Sequence, residues 1–398
     1  MVKIEAKAVL PKGWTAAGTA AGLKASGAAD MAMLFSERPA TVAATFTSNQ
    51  VKAATVRLDR DRVEKLGLAH GVVVNSGQAN ACTGKAGLRD AKDMGAWAAK
   101  CTGVAPELFL VCSTGRIGVR LDMGKIRPGI EALAGALRAD GGEEAARGIM
   151  TTDTRPKRFT AVFDAGGKRC RVTGLAKGAG MIEPCMGTML AFVMTDAAVE
   201  GRSLRKLWKA AVGESFNRIS VDGDRSTNDS AFLMANGAAG NEPLREGAEG
   251  WEAFAEAVKG VAFSLATEMA RDGEGASKFV TGTVKGAKSA ADAEAGARAV
   301  ANSMLVKTSW AGTYPNWGRI MDALGYSKAR VREDKVDIFY DDLCAAKGGL
   351  RTDTPEKALS KVLAKKEFRV TADLHLGKGA ATVYTCDCTE EYVRINMD

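Results

Sequence analysis

An α+β fold built in packed layers is what this sequence predicts, and three observations carry the expectation. Short apolar runs bounded by Gly-rich turns come in groups, and helical periodicities come in groups, where strict alternation would have pointed to a doubly wound parallel sheet. The chain has 398 residues, 46% hydrophobic and 26% charged, an ordinary globular composition with length for two or three domains. No internal repeat and no low-complexity linker interrupts it.

The elements follow in order. Residues 43–47 and 53–58 read as strands, and residues 72–75 as another that runs into Ser76-Gly77-Gln78-Ala79-Asn80-Ala81-Cys82-Thr83-Gly84. A helix comes next, because Leu88, Ala91, Met94, Ala98 and Cys101 fall on one face. Residues 108–112 read as a strand ending in Ser113-Thr114-Gly115-Arg116-Ile117-Gly118, and 130–137 as helical. In the second half, Leu204, Leu207, Trp208, Ala211 and Val212 stand at helical spacing over 204–216, with Ser203 as the expected N-cap. A second helix covers 251–269, with Phe254, Val258, Val261, Leu265 and Met269 inward. Residues 368–388 read as a hairpin around Gly377-Lys378-Gly379, with His375 in a strand.

Several function classes are excluded by composition. The segment 1–10 carries Lys3, Glu5 and Lys7 and no apolar core, so no signal peptide is expected and a cytoplasmic location is. The longest uncharged apolar run after Pro184 spans only 185–195, a buried strand and not a membrane span. Eight cysteines (82, 101, 112, 170, 185, 344, 386, 388) are scattered, and only Cys386 and Cys388 stand close. Two histidines, His70 and His375, leave a metal site short of ligands, and no metal or organic cofactor is expected. The same shortage argues against a Ser-His-Asp triad. Net charge is +8, split as 27 Lys+Arg against 17 Asp+Glu over 1–187 and 28 against 30 over 188–398. The basic charges are dispersed without an aromatic-basic repeat, so nucleic acid is not an expected partner.

The segment 177–196 carries chemistry. A Gly-rich turn passes through Pro184 to Gly187-Thr188, and a buried strand begins at once. A hydroxyl at the head of a strand suits internal chain cleavage. The Thr188 oxygen attacks the Gly187 carbonyl, an N-to-O shift makes an ester, and water releases it. Gly187 lets the backbone take the strained shape this needs. A freed Thr188 carries both a nucleophilic Oγ and an α-amine with a pKa of about 7.7–8, so it can act without histidine as base. Taken alone, Gly-Thr before an apolar run equally reads as an ordinary strand edge.

The surrounding motifs decide between these readings. Residues 177–192, KGAGMIEPCMGTMLAF, resemble the cleavage region of the glutamate/ornithine N-acetyltransferase family. So do the 76–84 segment, Cys112 to Gly118, Thr151-Thr152-Asp153-Thr154, residues 216–229 with Ser226-Thr227-Asn228-Asp229, residues 272–279 (DGEGASKF), and Pro315-Asn316-Trp317-Gly318-Arg319-Ile320. These run in the family's order from about residue 13 to the end.

The resemblance implies a layered sandwich of the ornithine acetyltransferase/aminopeptidase type with a second, smaller C-terminal α/β domain. It implies a chain cut between Gly187 and Thr188 into an α fragment (1–187) and a β fragment (188–398). These would stay associated as a heterotetramer of two pairs. The implied reaction moves an acetyl group from N-acetylornithine to glutamate through acetyl-Thr188, in arginine biosynthesis, and some members also accept acetyl-CoA. Thr188 matches the nucleophile, Thr114 and Gly115 the oxyanion hole, and Thr152, Lys177, Glu274 and Asn396 the substrate-holding positions. A lysine and hydroxyls suit the α-carboxylate common to both substrates, and Glu274 suits the ornithine ammonium.

Departures are few. Gly187 replaces the usual alanine, and the chain stops at Ile395-Asn396-Met397-Asp398, short of a terminal Ser/Thr that the family places on substrate, so one contact is expected to be absent or supplied differently. Three rival readings stay open on residues alone. One is a self-processing aminopeptidase or amidase that passes the acyl group to water. The others are a non-catalytic binding protein and a metal or redox module on Cys386 and Cys388.

Overall fold

The computed structural model describes residues 2–183 and 189–397, so the expected cleavage pair, Gly187 and Thr188, lies outside the described residues. The chain divides into two compact units, Met1–Asn217 with Arg225–Glu268, and Arg218–Asp224 with Met269–Asp398.

The strands of the first unit are β1 (Ile4–Glu5), β2 (Trp14–Thr19), β3 (Met31–Phe46), β4 (Leu68–Gln78), β5 (Phe109–Arg116), β6 (Lys157–Asp164), β7 (Arg169–Lys177), β8 (Leu190–Thr195) and β9 (Ser230–Ala235). Its helices are α1 (Ala54–Leu66), α2 (Gly84–Thr102), α3 (Met123–Gly135), α4 (Gly142–Gly148) and α5 (Gly201–Glu214), followed by α6 (Trp251–Arg271). The nine strands form one mixed sheet in the order β1-β6-β7-β8-β9-β3-β4-β5, with β2 on β3. The folding units therefore do not follow the expected fragments. β8, from the second fragment, is hydrogen-bonded between β7 of the first fragment and β9.

That sheet is folded on itself. Lys177 in β7 and Thr114 in β5 are five strands apart, which in a flat sheet would mean roughly 24 Å. Their side chains lie 3.3 Å apart. β3 supplies the turn between the two leaves: its first half pairs with β4 and its second with β9, and its register against β4 shifts between Phe35 and Ala40. Successive side chains of a strand point to opposite faces. Leu34, Val72 and Leu110 thus join Leu175, Phe192 and Phe232 in one core, while Met33, Val73 and Val111 meet Met94, Ile126 and Ile130 on the outer face. On another outer face α6 lies close to β7, since a Cβ at Gly174 would come within 2.6 Å of Val261 and Leu265. Phe192 and Phe232 stack in the middle at 5.9 Å, both fully buried. Phe232→Ala is expected to cost about 3–5 kcal/mol in a chemical denaturation curve, because the gap between two leaves cannot collapse.

The second unit holds β10 (Phe279–Ala287), β11 (Asp337–Tyr340), β12 (Leu343–Lys347), β13 (Leu350–Arg351), β14 (Glu367–Asp373) and β15 (Gly379–Cys386) in the order β13-β12-β11-β14-β10-β15. Its helices are α7 (Ala290–Asn302), α8 (Met304–Ala311), α9 (Trp317–Tyr326), α10 (Glu356–Leu363) and α11 (Glu390–Ile395). Val284, Ala297, Trp310, Leu324 and Phe368 belong to its core. The 315–320 motif builds the start of α9. Asn316 Oδ1 accepts from the Arg319 N–H at 3.2 Å, and Arg319 Nη1 donates to the Leu305 carbonyl at 2.7 Å. Both units are mixed sheets with helices packed on them, the expected α+β layering.

Four expectations about elements are corrected. Residues 53–58 open a helix, α1, whose buried Val56, Leu58 and Asp59 face the sheet; the six-residue apolar window hid the charged helical continuation to the left-handed Gly67 cap. The two runs of 368–388 are not a hairpin. β14 and β15 both pair with β10, from opposite sides, so a strand distant in sequence separates them. His375 is in the connecting turn at φ 48°, with Nε2 2.9 Å from Asp337 Oδ2. Ser203 lies inside α5, where Glu200 is the N-cap and the Ser203 hydroxyl donates to the Glu200 carboxylate at 2.5 Å.

Candidate active site

Strand ends of the two facing leaves assemble a polar centre in the first unit. Lys177, the last residue of β7, is 2% exposed, and its Nζ donates to Thr151 Oγ1 at 2.6 Å and Thr114 Oγ1 at 3.3 Å. Thr114 is buried near the end of β5, and Gly115 follows it at φ 126°. Only glycine fits there. A Cβ would fall 2.3 Å from the Gly77 carbonyl carbon of β4, so the Thr-Gly turn can press against the neighbouring strand.

The Thr151–Thr154 segment is organised around Asp153. Its carboxylate accepts from Lys157 Nζ at 2.6 Å, with both side chains fully buried, and from the Gly178 and Thr151 N–H groups at 2.7 and 3.0 Å. Burial alone would raise the Asp153 carboxyl. Lys177 and Lys157, with the Gly178 N–H, outweigh it and hold the group well below the usual aspartate range. One carboxylate thus fixes both the threonine loop and the residue that follows Lys177. A carboxyl with a depressed pKa stabilises the fold above its unfolded value and loses that contribution as pH falls through the folded one. Acid unfolding of Asp153→Asn is therefore expected to depend less on pH below about 4 than that of the parent. An unchanged pH dependence would contradict the ion-pair assignment. On the same side, Lys24 Nζ donates to the Ala29 and Met150 carbonyls at 2.7 Å each, and burial lowers its pKa, Asp30 opposing and Lys177 reinforcing.

The strand after the expected nucleophile is anchored by a second carboxyl. Asp229, fully buried, accepts from the Met189 N–H at 2.8 Å, and Ser230 N–H donates to the Met189 carbonyl at 3.2 Å. Burial pushes the Asp229 carboxyl well up, with the Met189 N–H, Thr47, Ser226 and Lys177 opposing it incompletely. Thr47 Oγ1 itself donates to the Ser226 carbonyl at 2.7 Å.

In the second unit Glu274 and Asn396 meet. Asn396 Nδ2 donates to Glu274 Oε2 at 2.8 Å and to the Tyr392 carbonyl at 2.9 Å. α11 is seated on the Gly273–Gly275 turn, because Thr389 Oγ1 donates to the Gly275 carbonyl at 2.6 Å. Cys386 is buried, and burial raises its thiol; Lys307 Nζ lies 3.8 Å from its sulfur.

Of the residues singled out in sequence, the structure brings Lys177 and Thr114 into contact, with Gly115 adjoining, and joins Glu274 to Asn396. Gly187 and Thr188 lie outside the described residues. Thr152 is exposed, and Thr151 is the threonine on Lys177. Thr151, Asp153, Asn228 and Asp229 were not singled out, although two motifs contained them, and Lys157 lies outside both. Nothing in T-T-D-T tells that Thr151 accepts from Lys177; that depends on how Asp153 holds the loop.

Fold and site together define a layered α+β protein whose facing strand ends carry a lysine–threonine centre. A family model described as the ArgJ family matches residues 15–398. A protein named Arginine biosynthesis bifunctional protein ArgJ from Geobacter sulfurreducens is 50% identical over 97% of this chain and 98% of its own. Proteins of the same name from Symbiobacterium thermophilum and Caldanaerobacter subterraneus subsp. tengcongensis are 48% and 46% identical, over 97% and 99% of this chain and 96% and 98% of theirs. The chain belongs to the ArgJ family.

Proposed function

We propose that this protein is a self-cleaving N-acetyltransferase of arginine biosynthesis that passes an acetyl group from N-acetylornithine to glutamate. What carries the reading is the name borne by relatives alike over nearly the whole chain, an arginine-biosynthesis bifunctional protein, set beside a site rich in threonine hydroxyls and poor in histidine.

In this reading the Gly187–Thr188 bond breaks first, leaving Thr188 with a free α-amine. That amine takes the proton of Thr188 Oγ, which attacks the acetyl carbonyl of N-acetylornithine. Charge gathers on the acetyl oxygen, toward which the Thr114 hydroxyl and the Gly115 N–H serve as donors. The C–N bond breaks, ornithine leaves with the proton, and the acetyl group stays on Oγ as an ester. The glutamate amine attacks that ester, the C–O bond breaks, and N-acetylglutamate is released. Lys177 and Thr152 serve the α-carboxylate, Glu274 the ornithine ammonium and Asn396 its placement. Lys177 suits its role: a buried ammonium held by two threonine hydroxyls is oriented before substrate arrives. No metal or organic cofactor takes part, and acetyl-CoA serves as a second acetyl donor, which would account for a bifunctional name. The working form is cytoplasmic and pairs two α with two β fragments.

The test is an intact-mass spectrum under denaturing conditions together with a transfer assay. Two fragments meeting between Gly187 and Thr188, and N-acetylglutamate formed only when glutamate is supplied, are expected. Acetylornithine breakdown that ignores glutamate would mean a hydrolase instead. Glu274→Gln is expected to raise KM for N-acetylornithine about 10–100-fold, the worth of a charged hydrogen bond, with glutamate affected less.

A further inference from the structure

The motif Ser226-Thr227-Asn228-Asp229 has no part in the chemistry above, yet it is hydrogen-bonded to several strands and loops of the first unit's polar centre. Asn228 is buried, and its Nδ2 donates to the Ser113 carbonyl at 2.7 Å and to the Ala79 carbonyl at 2.6 Å. The Asn228 side-chain oxygen accepts from Thr227 Oγ1 at 2.5 Å, which leaves the amide nitrogen turned toward those carbonyls. Ser113 immediately precedes Thr114. The next residue, Asp229, accepts the N–H of Met189, the amide that continues the chain from residue 188. The tetrapeptide is itself held by backbone bonds: Ala53 N–H donates to the Thr227 carbonyl at 2.9 Å, and Thr47 N–H to the Asp229 carbonyl at 3.1 Å.

Two adjacent side chains therefore grip opposite parties to the reaction. One holds the backbone just before the oxyanion threonine on β5, and the other holds the backbone just after the nucleophile at the head of β8. β5 and β8 are four strands apart in the sheet and are brought near only because its leaves face. We propose that Asn228 and Asp229 are positioning residues, a bracket that fixes the backbone entering the Thr114–Gly115 donors relative to the backbone at Met189, the residue that follows the nucleophile in sequence. The inference rests on the acetyltransferase reading. Transfer is sensitive to such spacing, since oxyanion donors act at 2.7–3.1 Å from the developing charge and a 1 Å displacement can cost about 100-fold.

The chemistry of the pair suits the task. A buried amide donating to two carbonyls is satisfied without a charge. At Asp229 one oxygen takes the Met189 N–H and the other, Oδ2, has no hydrogen-bond partner among the described residues. Burial raises the carboxyl's pKa, which favours its uncharged form in the group that anchors the strand.

The test compares the full-length parent with Asn228→Ala, Asp229→Ala and Asp229→Asn, and with Thr188→Ala as the control for the reaction itself. The expected result is that both alanine variants lower kcat at least tenfold while KM for N-acetylornithine and glutamate stays within about twofold. Asp229→Asn keeps a neutral acceptor of the same shape and is expected within about threefold of parental kcat, with thermal stability that gains on the parent as pH rises above about 4. The sign follows because a raised carboxyl pKa costs the parent stability as pH climbs from its unfolded toward its folded value. Thr114→Ala in the Asn228→Ala background is expected to cost at least tenfold less than in the parent, because a misplaced donor has less to lose. Alanine variants that turn over like the parent, effects confined to KM, or additive losses with Thr114→Ala would each overturn the bracket. An Asp229→Ala chain that does not fold leaves Asn228→Ala and Asp229→Asn to decide by the same criteria. If Thr188→Ala retains transfer, it is the acetyltransferase reading that fails, a distinct result.

Discussion

Thr188→Ala is expected to give a single uncut chain with no acetyl transfer. Two losses coincide in this substitution. The hydroxyl proposed to open the Gly187–Thr188 bond is gone, and so is the oxygen that would carry the acetyl group. Because the bond stays closed, the α-amine that would act as base is never released. The expected effect is the largest of any single change, approaching the uncatalysed rate, and is read by intact mass and a transfer assay on the same sample. Thr188→Ser separates the steps: a serine hydroxyl can still attack, so slow cleavage with some transfer is expected. Complete, normal cleavage in the alanine variant would remove Thr188 from the chemistry altogether.

The next largest effect is expected at Thr114. Thr114→Val keeps the branched shape that packs into the buried end of β5 and removes the one hydroxyl, so stability should change little. Turnover is expected to fall by roughly 10²–10³, the usual cost of losing one oxyanion donor. The geometry adds a second consequence. Lys177 donates to the Thr114 hydroxyl oxygen, which leaves the hydroxyl proton directed elsewhere; without that oxygen Lys177 keeps Thr151 as its acceptor. KM for both amino-acid substrates is therefore expected to shift by a few fold at most, so that kcat carries the loss. Thr114→Ser should recover most of the activity. A valine variant with parental kcat would take Thr114 out of the oxyanion site and leave Gly115 as the remaining donor.

Both predictions come from residues visible in the sequence, and the structure sharpens only the second. The helices at Trp251–Arg271 and Gly201–Glu214 were legible because their apolar residues repeat at helical spacing over three or more turns. α1 was not, since its first six residues alternate as a strand would, and only the buried Asp59, accepting the Val111 N–H at 3.0 Å, explains its seat on the sheet. β14 and β15 were found as strands but mispaired, because periodicity reveals which residues face the core and not which strand lies alongside.

The same division runs through the site. The sequence by itself determined the family, the Thr-Gly turn and the lysine, because these lie in contiguous motifs whose residue types match a chemistry. Only the tertiary structure decided that Lys177 reaches Thr114, that Thr151 accepts from the lysine, and that Asn228 and Asp229 hold the two sides together. The reason is physical. A motif of a few residues fixes local conformation, whereas contacts between β5, β7 and the head of β8 exist only once a sheet bends at Phe35–Ala40 and brings distant strand ends within a few ångströms.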